Sequence, residues 1–246
     1  MHFTRQIGAT LFCLLACSQS VWAQASDVSL RIDLVREHVS EANHAHDHGY
    51  DGVGSGNVVV WLSPEQPGQV LPSVKPQAGY VLTQKNRQFN PHLLVVPTGS
   101  SVEFPNLDPF FHNVFSLFNG KRFDLGLYES NSHRSVRFDR EGVSYIFCNI
   151  HPEMGAVIVS MSTPYYAVST TDGTVTIHNV PTGSYRMKLW AENVSVGQLT
   201  AAERTVEIGS GHAQLGTIQL NAGGDIMKQH KNKFGESYAP AHKDLY

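Results

Sequence analysis

Short apolar-alternating segments, separated by turn residues, run along almost the whole 246-residue chain. No window carries the apolar period of a long amphipathic helix, so helical architectures are excluded first. Val28, Leu30, Ile32 and Leu34 alternate with polar neighbours, the pattern of a half-buried strand. Residues 57–62 form a second such run, stopped by Ser63-Pro64, and residues 93–96, 101–104, 114–117, 135–138, 144–147 and 156–161 follow. Beyond Pro164 the pattern resumes at 166–170, 174–178, 184–190, 205–208 and 216–220. Pro97-Thr98-Gly99, Arg140-Glu141-Gly142, Asp172-Gly173 and Pro181-Thr182-Gly183 mark tight turns between them. Phe123-Asp124-Leu125-Gly126-Leu127 reads as one more turn-flanked strand. Strands of this length and spacing predict an all-β fold built of β-sandwiches.

Composition narrows the function classes. With 41% hydrophobic and 16% charged residues the chain can bury a core, so a disordered chain is excluded. Eighteen Lys and Arg against 21 Asp and Glu leave no basic excess to neutralise phosphates, which argues against nucleic-acid binding. No internal apolar run approaches the length of a membrane span.

Residues 1–25 have the order of a secretory signal peptide: Arg5, an apolar stretch over 7–16, then Ala23-Gln24-Ala25 as a small-x-small cleavage pattern. Leu14-Leu15-Ala16-Cys17 also resembles a lipobox, which would make Cys17 a lipid anchor. Either reading places the mature protein outside the cytoplasm, in a bacterial periplasm. Of three cysteines, Cys13 and Cys17 then fall in the signal and Cys148 is left without a disulfide partner. A lone thiol in an oxidising compartment is either buried and inert or a metal ligand or nucleophile.

Its neighbours point to a metal. Cys148-Asn149-Ile150-His151-Pro152-Glu153-Met154 places a thiolate, an imidazole and a thioether within seven positions, and His112-Asn113 lies on another strand edge. Two imidazoles, one thiolate and a weak axial thioether form the donor set of a blue-copper site, acceptable to both Cu(I) and Cu(II). Zinc also accepts Cys and His and is the alternative metal.

The stretch from about Tyr80 to Thr163 resembles the cupredoxin family of plastocyanin and amicyanin. Pro105-Asn106-Leu107-Asp108, Phe110-Phe111-His112-Asn113-Val114 and Tyr145-Ile146-Phe147-Cys148 carry the resemblance, and the Cys-x-x-His-x-x-Met spacing looks like the short amicyanin loop. The resemblance implies a Greek-key β-sandwich over residues 76–163 holding one copper ion. It makes His112, Cys148 and His151 equatorial ligands and Met154 the axial one. Asn113 would tie the ligand loops together and bring its backbone N–H to the Cys148 sulfur. It further implies that the His151 ring edge carries electrons out through an apolar patch of Ile150, Pro152, Phe110 and Phe111. Glu153 stands where amicyanin is apolar; its charge should lower the potential and favour a basic partner patch. Phe104, Phe115 and Phe147 read as core.

Residues 164–221 resemble the transthyretin-like module of carboxypeptidase regulatory domains, through Thr171-Asp172-Gly173 and Val180-Pro181-Thr182-Gly183-Ser184-Tyr185. Such a module needs about seven strands and only five follow Pro164, so the strands in residues 26–75 are expected to complete it, with the cupredoxin inserted between. A separate N-terminal segment pairing with the cupredoxin is the competing layout. Trp61 and Trp190 read as core, residues 66–79 as a linker, and residues 222–246 as a flexible tail. His44, His46 and His48 alternate on a polar loop that can chelate metal weakly.

The expected function is a one-electron carrier with transient docking to a periplasmic or membrane-bound redox protein, and not an enzyme. The alternatives are a copper-binding or delivery protein, suggested by the His loop, and a β-sandwich interaction module with a degenerate site. The oligomeric state is left open.

Overall fold

In the computed structural model, residues 25–36, 56–66, 71–117, 120–223 and 230–238 are described. Almost all of the expected signal peptide, Cys17 and the His44, His46 and His48 loop lie outside them. The described chain is all-β, with one short helix, and its strands build two pairs of sheets.

The first pair comes from the middle of the chain. A three-stranded sheet joins β3 (Tyr80–Val81), β7 (Ser101–Pro105) and β10 (His133–Arg137) in the order β10-β7-β3. A five-stranded sheet in the order β6-β12-β11-β8-β9 joins β6 (Leu93–Pro97), β8 (His112–Ser116), β9 (Phe123–Tyr128), β11 (Gly142–Phe147) and β12 (Gly155–Met161). Leu82, Phe104, Phe138, Ile146 and Ile158 fill the core, which also takes in Cys148 and Met154. A small hairpin of β4 (Thr83–Lys85) and β5 (Gln88–Asn90) flanks it.

The second pair draws on both ends. β1 (Ala25–Arg36) lies between β14 (Thr174–Pro181) and β17 (Ala213–Ala222). β2 (Val59–Pro64) lies between β13 (Tyr166–Val168) and β15 (Gly183–Trp190), with β16 (Arg204–Ile208) at the edge. Alternation explains the packing: Val28, Leu30 and Ile32 enter the core, while Arg31 and Asp33 face solvent. At the turn into β14, Gly173 adopts φ +84° and Asp172 accepts the Thr174 N–H, so the Asp-Gly pair makes the reversal.

β12 is buried at every position because it faces two cores. Ala156 and Ile158 enter the first core, while Val157, Val159 and Met161 meet Val59 and Trp190 of the second pair of sheets. This accounts for a continuous apolar run where alternation would otherwise be expected. His92 adds a polar bond between the two units, its Nε2 lying 2.7 Å from Glu192. Burial works against protonation of His92, but the Glu192 carboxylate outweighs it and holds the pKa above the ordinary value. The pair therefore stabilises the fold below about pH 6.5, the unfolded histidine value, and loses that contribution as pH rises through the higher folded value. Denaturant unfolding of the metal-free protein should show a stability advantage over His92→Gln that shrinks across this window. An advantage that grew with pH would refute the assignment.

The structure departs from the sequence pattern in several places. The helix α1 (Val196–Ala202), capped by the Ser195 side chain, is not signalled, because seven residues containing Gly197 carry too little periodicity. The short strands β3 to β5 follow directly on the expected linker, and β2 begins at Val59 because Asn57 takes φ +64° in a turn. Residues 230–238, within the expected flexible tail, are packed against the middle unit through hydrogen bonds and ring contacts. The polar composition of this stretch concealed these contacts. Among the described residues no helix is long and apolar enough to cross a membrane.

Candidate metal centre

Three donor-bearing side chains converge at one end of the middle unit. His112 opens β8, while Cys148 and His151 lie on the loop that connects β11 to β12. The Phe147–Gly155 pairing closes the hairpin, the Cys148 N–H donates to the Met154 carbonyl at 3.3 Å, and the Met154 N–H donates to the His151 carbonyl at 3.0 Å. These bonds curl residues 148–154 into a tight loop. His112 Nδ1 and His151 Nδ1 are 3.1 Å apart, and they lie 3.7 Å and 3.6 Å respectively from Cys148 Sγ. Among the described residues this is the one group of His, Cys, Asp and Glu whose ligand atoms cluster in this way.

The donor set fits a copper or zinc ion. The three edges match a metal about 2.0 Å from each imidazole nitrogen and about 2.3 Å from sulfur. The tautomer fits as well. His112 is fully buried, and its Nε2 lies 2.8 Å from the Asp108 carboxylate, so that nitrogen carries the proton and Nδ1 turns its lone pair to the cluster. Burial keeps His112 below the usual histidine pKa even though Asp108 pulls the other way. Burial and then the neighbouring His112 do the same for His151. Both rings are therefore neutral, as ligation requires, at neutral pH.

Burial pushes the Cys148 thiol up, while the backbone N–H groups of Asn113, Ile150 and His151 direct hydrogen bonds to it and oppose the rise. Those donors stabilise a thiolate once a cation displaces the proton. Asp108 is itself firmly held. Burial would raise its pKa, but the N–H groups of Arg87 and Asn86 and the His112 ring reverse the direction. Asn86 and Arg87 sit at φ +57° and +55° in the two-residue turn between β4 and β5, which aims their N–H groups at Asp108 with bonds of 2.6 and 2.9 Å. Left-handed backbone at Arg87 is sparsely populated, and the site's hydrogen bonds hold it there.

The other residues singled out in the sequence fall around this triangle. Met154 is fully buried in the same core cluster as Cys148. The Phe110 ring lies 5.2 Å from the His112 ring and 5.5 Å from that of His151, shielding both. Phe111 and Ile150 are exposed, as are Pro152 and Glu153. The Glu153 charge acts on all three donors. The Asn113 side chain bonds Asp124 of β9 at 2.6 Å, while its backbone N–H directs a hydrogen bond to Cys148 on the ligand loop. Phe104, Phe115 and Phe147 are buried, and Trp190 is nearly so.

Sequence reasoning passed over Asp108, Asp124 and Tyr238, whose hydroxyl donates to the Cys148 carbonyl at 2.9 Å. The signal for Asp108 was its place four residues before His112; an Asp between Leu and Pro looks like turn chemistry alone.

Comparison with known proteins gives partial likenesses. The family described as Polysaccharide lyase family 4, domain II matches residues 154–215, a span that starts in the ligand loop and crosses from β12 into the second pair of sheets. No curated protein matches. Among solved structures, a purple cupredoxin from Nitrosopumilus maritimus is 22% identical at a TM-score of 0.31, covering 34% of this chain and 100% of its own. The copper-containing nitrite reductase of Thermus scotoductus SA-01 is 22% identical at 0.32, covering 40% of this chain and 25% of its own. A single-site mutant of amicyanin in its Cu(I) form is 20% identical at 0.32, over 37% and 97%.

Proposed function

We propose that this protein is an exported type 1 copper protein that carries single electrons between redox partners. The observation that supports it best is the convergence of His112 Nδ1, His151 Nδ1 and Cys148 Sγ within 3.1 to 3.7 Å of one another. A copper ion held there supplies a one-electron couple between Cu(I) and Cu(II). Met154, buried in the same core cluster as Cys148, would be the fourth ligand in this reading, and a fourth protein ligand would take the place a substrate needs, which is why a carrier is preferred to an enzyme. Asp108 fixes the His112 tautomer and strengthens the ring as a donor. Phe110 covers both imidazoles and limits water.

His151 is only half-buried, so its outer edge offers a short way for an electron to leave. The exposed Phe111, Ile150 and Pro152 around it suit a small, transient apolar contact. The partner in this reading is a periplasmic or membrane-bound redox protein carrying a basic patch that answers Glu153. The signal-like residues 1–25 support a meeting outside the cytoplasm.

Titration of the purified mature protein with Cu(II), followed by visible absorption, tests the assignment. An intense thiolate-to-copper charge-transfer band that saturates at one equivalent is expected. A protein that stays colourless, while binding zinc or no metal, overturns it.

A further inference from the structure

We propose that residues 230–238 form a clasp that holds the metal-ligand loop closed, with His230 and Tyr238 as positioning residues for Cys148. The metal part of this inference rests on the copper reading above. The loop has few backbone bonds of its own: within residues 148–154 these are the Cys148–Met154 and Met154–His151 contacts. Residues 230–238 grip three consecutive positions at its start. The His230 ring stacks on Phe147 with centroids 3.9 Å apart and planes 6° from parallel. The Tyr238 hydroxyl donates to the Cys148 carbonyl at 2.9 Å. The Lys233 N–H donates to Asn149 Oδ1 at 2.9 Å.

These contacts reinforce one another. Tyr238 has a single hydroxyl proton and gives it to Cys148, so it is the acceptor in its 3.0 Å contact with His230 Nε2, and that nitrogen carries the proton. The segment is internally braced: Asn232 Oδ1 accepts from the N–H groups of Phe234 and Glu236, and Gly235 turns the chain at φ +81°. Lys233 Nζ also meets Asp124 at 2.8 Å, and Asp124 holds the side chain of Asn113, whose N–H faces the Cys148 sulfur. The backbone around Cys148 is thus fixed from β8, from β12 and from a segment 84 to 90 residues further along the chain. A ligand so held leaves the metal only when this clasp opens with the loop, so its bonds should govern metal retention.

Two measurements on the full chain test this. In the metal-free protein, hydrogen exchange of the loop amides 148–154 should quicken in Tyr238→Phe and in His230→Ala, by between about twofold and tenfold each, the worth of one such contact. In the copper-loaded protein the charge-transfer band should persist in both variants, while copper release to a chelator accelerates by a similar factor. His230→Phe keeps an aromatic ring on Phe147 and loses the bond to Tyr238, so it should recover part of the His230→Ala effect. Loop exchange and copper release both unchanged from wild type would overturn the clasp. Faster exchange of the loop amides in a protein that never develops the band would uphold the clasp and overturn the copper reading.

Discussion

The Cys148→Ala variant should lose the charge-transfer band completely while retaining the fold. The thiolate is the source of that transition, and among the described residues no second cysteine is available to replace it. Burial already keeps the metal-free thiol neutral, so the native core tolerates an uncharged group at this position. Removing one sulfur from a fully buried site should cost about 1 kcal/mol, too little to unfold a domain of this size. Far-ultraviolet circular dichroism should therefore match the parent, and Cu(II) should bind through His112 and His151 alone with only weak colour. A variant that kept the intense band would show that copper sits elsewhere, with residues 44–48 the first place to look.

The Asp108→Asn variant should bind copper about 10–100-fold more weakly, the usual effect of removing a carboxylate behind a metal-bound imidazole. The size follows from what converges on this carboxylate. The Asn86 and Arg87 N–H groups and His112 Nε2 are all donors. An amide has one acceptor oxygen and one donor nitrogen, so at least one of the three would meet an N–H instead of an oxygen. The ring would then be free to tilt or to change tautomer, and Nδ1 would lose its fixed aim. Because a carboxylate favours the more positive Cu(II), its loss should also raise the reduction potential. Competition with a chelator and voltammetry read the two effects separately. An unchanged affinity would mean that Phe110 and the backbone orient His112 without Asp108.

The strands could be read in the sequence because their information is local. Val28, Leu30 and Ile32 alternate, and the Asp172-Gly173 turn is written in two adjacent residues. The convergence of His112, Cys148 and His151 was also legible, since a thiolate and imidazoles at those spacings have few other uses. What escaped depends on contacts between distant residues. Asp108 makes its bond to His112 only because the β4–β5 turn holds it in place. Tyr238 meets Cys148 across 90 positions, and nothing in a polar C-terminal stretch signals that contact. The helix α1 and the strands β3 to β5 are too short for periodicity to register. β12 was found as a strand, but only the structure shows why both of its faces are apolar.

The chain leaves one sheet at Pro64 and returns to the neighbouring strand of that sheet at Tyr166, opposite Trp61. To the outer sandwich, the whole middle unit is therefore a surface excursion whose two ends already lie side by side. Closing such an excursion is entropically insensitive to its length, with each doubling adding only about 0.6 kcal/mol. The outer sandwich can consequently host a longer excursion at small entropic cost, but any cargo exchanged there must still cover Val59 and Trp190, which β12 now buries. The corresponding burden is kinetic. The first strand of the described chain is completed by the last, and such widely separated pairings make for slow folding.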